Sequence, residues 1–128
     1  MKLPILFRIF SVLHFLMGLM ILFGGSMISV TNGWEHSVGI ATMAEHHGAS
    51  LICVSILFWM LPNWLKDGEL TKTVPVAILV QVILAIMPVY HAAVGAIPTD
   101  VTLFIMLAVI IGLIILFYLA SKKNIPSE

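Results

Sequence analysis

The chain is 128 residues long, 61% of them hydrophobic and only 9% charged, with a formal net charge of zero and a mean hydropathy of +1.14. Soluble domains are about half apolar and about a quarter charged, so this composition excludes an ordinary soluble domain. It also excludes nucleic-acid binding, because the few lysines and arginines form no basic stripe. We expect a single membrane domain over residues 1–128, since the length leaves no room for a soluble domain beside it.

Four long apolar runs follow one another along the chain. They lie at about residues 3–30, 38–64, 73–94 and 101–120. A span needs about 20 apolar residues to cross about 30 Å of hydrocarbon, and each run is that long. In lipid each backbone N–H and C=O must be paired inside its own segment, so all four runs are predicted to be helices.

The connections between the runs are short and polar, at residues 31–36, 62–69 and 95–100. Short connections place consecutive helices antiparallel, so we predict an all-α, up-down four-helix bundle in the membrane. Thr99 or Asp100 is a candidate cap for the fourth helix. The first run is longer than the apolar part of a secretory signal, so it is expected to be a retained span.

All six basic residues fall before the first run, between the second and third, or after the fourth. They are Lys2, Arg8, Lys66, Lys72, Lys122 and Lys123. The positive-inside rule makes this side cytoplasmic, so both termini are predicted to lie in the cytoplasm. Trp59 and Trp64 are expected to anchor the inner interface and Trp34 the outer one.

Polar residues inside the apolar runs are the candidates for chemistry, since ionisable groups in a span usually face a protein interior or a cavity. They are His14, Glu45, His46, His47, Gln81 and His91. Counted at about 1.5 Å per residue, His47 lies about 25 Å from Trp64 and His91 about 27 Å from Thr73. The two histidines are therefore predicted to share one depth in the outer leaflet, with Glu45 and His46 just above them.

Small and polar residues at helical spacing predict the packing faces. The predicted faces are Ser11, His14, Gly18, Gly25 and Ser29 on helix one, Thr42, Glu45 or His46, Ala49 and Cys53 on helix two, and Ala77, Gln81, Ala85 and Pro88 on helix three. Which of His46 and His47 faces inward stays open, because they lie about 100° apart. The fourth helix, almost uniformly apolar, is expected outside the polar interior, and the lone Cys53 is expected to pack as a small residue.

The histidines support two functional hypotheses, metal or haem binding and proton relay, and one structural alternative. His46 or His47 with His91 could hold a haem iron axially, or with Glu45 a divalent metal such as Zn²⁺ or Cu²⁺. Alternatively Glu45, His46 and His91 could relay protons. The structural alternative is that these residues hydrogen-bond between helices or sit at the wet interface, with His14 bonded to Gln81 or to a backbone carbonyl.

Two families with four membrane helices bear comparison. Small multidrug transporters carry a carboxylate in the middle of helix one, where this chain has His14. Residues 15–24 and 44–52, together with the hydropathy layout of most of the chain, resemble the small DoxX-like four-helix membrane proteins. That resemblance implies a four-helix fold and a bacterial inner-membrane location. An arginine often stands in such proteins near the position of His46 or His47 here.

Three classes of function follow from these observations. We favour a small polytopic inner-membrane protein that is a non-enzymatic accessory subunit or partner-binding protein. Its expected partners are the lipid bilayer and other membrane-protein subunits, or further copies of the same chain. The alternatives are a redox, metal-binding or haem-binding protein that uses the outer histidines, and a small transporter or proton-coupled channel.

Overall fold

The computed structural model describes residues 2–31, 33 and 37–123, and this part of the chain contains four helices. They are α1 (Leu3–Thr31), α2 (Val38–Trp64), α3 (Asp67–Ala93) and α4 (Val101–Lys123). All four are long and apolar enough to cross a membrane. The prediction of an all-helical, multi-pass membrane protein is therefore confirmed, whereas Trp34, Glu35 and His36 of the first connection lie outside the described residues.

The third helix differs from its predicted bounds. It begins at Asp67 instead of Thr73, so the last three residues of the stretch interpreted as a connection, 67–69, belong to the first turn of α3. The N–H groups of Glu69 and Leu70 both donate to the Lys66 carbonyl oxygen, at 2.9 and 2.8 Å. Charged side chains on a helix can extend into water beyond the lipid, so an end of the apolar run is not an end of the helix.

The chain divides into two compact units. The α1–α2 unit is Phe7–Pro62, and the α3–α4 unit joins the remainder of the chain from Asn63 onward to the first residues of α1, up to Leu6. The up-down order of the whole bundle and the side of the membrane on which the termini lie stay predictions.

In the α1–α2 unit the backbones of the two helices are in direct contact at two glycines. A Cβ built on Gly18 would lie 2.8 Å from the Gly48 carbonyl oxygen, and one built on Gly48 would lie 2.7 Å from that of Gly18. About two turns further along α1, a Cβ on Gly25 would lie 3.0 Å from the Cβ of Ala44. Small residues at these positions let the two backbones touch, which is how membrane helices pack tightly.

At the other end of this unit, aromatic rings fill the space between the helices. The rings of Phe7 and Phe58 stack with centroids 5.8 Å apart, and Phe10 lies 4.7 Å from Phe58 in a tilted arrangement. All three side chains are buried. The pair is therefore held by close backbone contact at one end and by aromatic packing at the other.

In the α3–α4 unit, α3 packs on α4, and the turn between them is closed by backbone geometry. Gly95 has φ +72°, and the N–H groups of Gly95 and Ala96 donate to the carbonyl oxygens of Ala92 and His91 at 3.1 and 2.8 Å. This is a Schellman end, with glycine at the left-handed position. The Leu103 N–H donates to Oδ1 of Asp100 at 3.1 Å, so of the two predicted caps Asp100 performs the role.

Candidate functional site

The polar residues Thr42, His46 and Ser50 of α2 lie on the helix face that points away from α1. Glu45, His46 and His47 are all exposed. The α1-facing side instead buries Gly48, Leu51, Ser55 and Phe58. His46 lies about 160° around the helix from Gly48, so it is on the opposite side from the α1 contact.

Hydrogen bonds to the helix backbone order this outward face. The Thr42 hydroxyl donates to the Val38 carbonyl oxygen at 2.8 Å, and the Ser50 hydroxyl donates to that of His46 at 2.8 Å. Between them, Nδ1 of His46 lies 2.7 Å from the Thr42 carbonyl oxygen. Because a carbonyl only accepts, Nδ1 carries the proton in this bond, and a neutral His46 presents Nε2 outward as an acceptor.

The packing face predicted for helix two is therefore not the face that contacts α1. Thr42, Ala49 and Cys53 are exposed, and the packing residues lie on the other side of the helix. Small residues occur on both faces, with Gly48 next to Ala49, and a one-residue shift rotates the face by about 100°. We define the outward face of α2 by its small and polar members: Thr42, His46, Ala49, Ser50 and Cys53.

Sequence reasoning missed the contribution of Ser50 to this face. Ser50 follows His46 by one helical turn, and its exposed hydroxyl bonds the carbonyl of that histidine. The repeat of polar residues four apart from Thr42 to Ser50 was a signal for it.

On α1 the predicted packing face is confirmed where it is described. Ser11, His14 and Gly18 are buried, while the side chain of Ser29 lies outside the described residues. Nδ1–H of His14 donates to the Phe10 carbonyl oxygen at 2.7 Å, and the imidazole stacks on the Phe10 ring with centroids 4.1 Å apart. The backbone carbonyl, one of the partners predicted for His14, is therefore observed.

The two polar residues predicted on α3 lie far apart along it. Gln81 is fully buried, on the same helix side as Val74 and Ala77, which are also buried. His91 stands in the last turn, half-buried, with its ring 5.7 Å from that of Tyr90 in a tilted arrangement.

The equal depth predicted for His47 and His91 stays a prediction, because the two histidines lie on helices of different units of the chain.

Within the described residues, no three His, Cys, Asp or Glu side chains are grouped so that they could hold a metal ion. The proposed ligands His46, His47 and Glu45 are on α2 and His91 is on α3, in different units of the chain. A haem or metal held between these helices therefore stays a prediction.

Comparison of the chain with protein-family models, with curated proteins and with solved structures gives no match. The resemblance to DoxX-like proteins thus rests on the residues of this chain alone. The outward face of α2 offers an imidazole nitrogen that can accept a hydrogen bond and two hydroxyl groups. Its small residues would let another helix backbone approach closely, and Glu45 beside the face adds a carboxylate.

Proposed function

We propose that this multi-pass membrane protein is a non-enzymatic accessory subunit, and that the outward face of α2 binds another membrane-protein subunit. The observation that carries this proposal is the exposure of Thr42, His46, Ala49, Ser50 and Cys53 within a helix long and apolar enough to span the membrane. A polar helix face in contact with lipid alone is unfavourable, so such faces usually lie against protein.

The composition of the face suits contact with a second helix. Ala49, Ser50 and Cys53 are small, and small side chains let two helix backbones approach closely, so that dispersion contacts accumulate. In lipid this packing replaces the hydrophobic effect as the main source of association, because the lipid chains are themselves apolar. Between Phe104 and Leu116 the exposed surface of α4 is apolar and offers no comparable polar feature.

The polar atoms add specificity to this contact. The hydroxyls of Thr42 and Ser50 already donate hydrogen bonds to their own helix. Burying them in an interface therefore costs little desolvation free energy. His46 presents Nε2, and the adjacent Glu45 is an acceptor when ionised. A partner with a donor at this height would gain an interhelical hydrogen bond worth about 0.6–2 kcal/mol.

A matched pair of alanine-to-tryptophan variants tests the proposal. Ala49 lies on the outward face of α2, whereas Ala108 is exposed on α4. The tagged chain is purified in mild detergent as the wild type, as Ala49→Trp and as Ala108→Trp, and stoichiometric partners are identified. Both alanines are exposed, so neither variant should lower the melting temperature of the purified chain.

We expect the wild type and Ala108→Trp to purify with the same partner in a fixed ratio, and Ala49→Trp to lose it. A second copy of the chain as the partner would satisfy the proposal equally. The proposal fails if the wild type is a monodisperse single chain, or if Ala49→Trp retains its partner as well as Ala108→Trp does.

Metal or haem binding is a second candidate, favoured by the bond between Nδ1–H of His46 and the Thr42 carbonyl oxygen. Metal-ligating histidines commonly donate their other ring N–H to such an oxygen, which fixes the tautomer and the ring orientation. Purified protein with no Soret band and no stoichiometric metal by elemental analysis would remove this candidate. A His46→Ala variant that loses a bound metal while His47→Ala keeps it would support it.

A further inference from the structure

Exposed residues on the side of α2 that points away from α1 follow one another at alternating spacings of three and four. We call this line of residues the α2 seam, and its members are Gly39, Thr42, His46, Ala49, Cys53 and Ile56. The seam contains four residues of the outward face and extends that face in both directions. Alternation of three and four is the heptad pattern by which two helices pack side by side, crossing at about +20°.

The size of the seam residues suits a second copy of α2. The positive-inside rule acts equally on two copies of one chain, so both insert in the same orientation and their α2 helices pair in parallel. In a parallel pair of identical helices each seam residue faces its own counterpart. Gly39, Ala49 and Cys53 then meet equally small residues, which lets the two backbones approach closely.

The same pairing brings two imidazoles together, because His46 is a member of the seam. Nδ1–H of His46 donates to the Thr42 carbonyl oxygen, with 2.7 Å between the two atoms. Each neutral ring therefore presents Nε2, an acceptor, to the space between the helices. Two acceptors do not hydrogen-bond to each other, but both can bind one metal ion, and metal-ligating histidines commonly have their other ring N–H held in this way.

Glu45 adds negative charge at the same height. It is exposed and directly precedes His46. In a parallel heptad pair the side chain of His46 packs beside the preceding residue of the other helix, so the two Glu45 carboxylates flank the two imidazoles. Carboxylates held close together in an apolar medium repel each other, and a divalent cation between them removes that repulsion.

We propose that two copies of the chain pair along the α2 seam and hold one Zn²⁺ ion with His46 and Glu45 of each copy. One copy supplies one nitrogen and one oxygen ligand, and two copies supply the four ligands of a tetrahedral zinc site. Mg²⁺ and Ca²⁺ instead prefer six or more oxygen ligands. The inference rests on the proposed function, because it names the partner of the outward face of α2 as a second copy of the chain.

Native mass spectrometry and analytical ultracentrifugation test this site on the chain purified in mild detergent, with its affinity tag removed and its metals stripped by EDTA. We expect added zinc to produce a dimer that carries one Zn²⁺ ion. With free zinc at about 100 times its dissociation constant, the dimerisation constant should rise about 100-fold, since only the dimer holds the ion. Magnesium at the same concentration should leave the dimerisation constant unchanged.

Matched variants separate the ligands from their neighbours. His46→Ala and Glu45→Gln should each abolish the zinc-dependent rise. His47→Ala and Cys53→Ser should keep it, because His47 lies beside the seam and Cys53 lies about 10 Å along the helix from His46. Ala49→Trp leaves both ligands in each chain but fills the crossing, so it should lose the dimer and the ion together.

The inference is overturned if zinc binds to the monomer, if Ala49→Trp still binds zinc, or if His46→Ala and His47→Ala behave alike. A wild type that purifies with a different protein and binds no zinc would also overturn it, but would leave the proposed function intact. A single chain with no protein partner at any zinc concentration would overturn both.

Discussion

Gly18 and Gly48 bring the backbones of α1 and α2 into direct contact. A Cβ on either glycine would lie 2.7–2.8 Å from the carbonyl oxygen of the other, closer than two such atoms can approach. The α1–α2 unit thus depends on the absence of two side chains at one crossing. The outward face of α2 is positioned by this crossing, because it fixes how α2 is rotated against α1.

Gly18→Ala is expected to destabilise the protein by about 1–3 kcal/mol, as an added methyl group in a tight contact does. Gly48→Ala should have an effect of the same size, since its contacts are also with backbone atoms. Gly24→Ala is the control, because a Cβ there meets nothing within 4 Å. Unfolding in mixed SDS micelles, followed by far-UV circular dichroism, measures all three, and equal stability of Gly18→Ala and Gly24→Ala would contradict the crossing.

His14 is expected to be a packing residue. Its ring is 4% exposed and stacked on Phe10, so His14→Ala leaves a cavity and should cost about 2–4 kcal/mol. His14→Phe keeps the ring and should cost about 1 kcal/mol or less. The same SDS titration gives both values, with the exposed His47→Ala as a control near zero. If His14→Phe is as unstable as His14→Ala, the hydrogen bond to the Phe10 carbonyl, not the ring packing, holds the site.

Gly95 ends α3 in a left-handed conformation with φ +72°, which costs other L-residues about 1–2 kcal/mol. Gly95→Ala should therefore lower stability by about 1 kcal/mol, and Gly95→Asn by less, because asparagine tolerates this region. Gly68→Ala, where an added Cβ meets nothing within 4 Å, serves as the comparison in thermal unfolding. No difference between Gly95→Ala and Gly68→Ala would mean that the turn adapts without strain.

The distribution of basic residues predicts which connections face the cytoplasm. In a Cys53→Ser background, Thr99→Cys should react with a membrane-impermeant maleimide in intact cells, whereas Glu69→Cys should react only after lysis. The reason is that all lysines and arginines flank one side of the four helices. If Glu69→Cys alone were labelled in intact cells, the orientation would be the opposite of the predicted one. Labelling of neither or both residues would contradict the up-down order.

Sequence patterns predicted the bounds of the helices better than they predicted which side of each helix packs against its neighbour. Long apolar runs locate spans because lipid forbids unpaired backbone, and the starts of α1, α2 and α4 follow from this. The start of α3 was misplaced because Lys66 to Glu69 look like a loop in composition, although a helix can continue into water. Only an observed backbone shows that the helix begins at Asp67.

The orientation of α2 was not predictable for a related reason. In water the apolar side of a helix marks the buried face, but in lipid both sides are apolar and that signal disappears. Gly48 and Ala49 are both small, and they point about 100° apart. The steric contact between Gly48 and Gly18 decides between them, and it depends on the partner helix.

Photocrosslinking at Cys53 measures whether protein or lipid covers the outward face of α2. This residue is the single cysteine of the chain and is exposed on that face. A benzophenone maleimide is attached to Cys53 of the tagged chain in membranes, irradiated, and compared with the same label on Ile105→Cys in a Cys53→Ser background. Ile105 is 60% exposed on α4. We expect one defined protein adduct from Cys53 and only lipid adducts from position 105; lipid adducts alone from both positions would overturn the proposal.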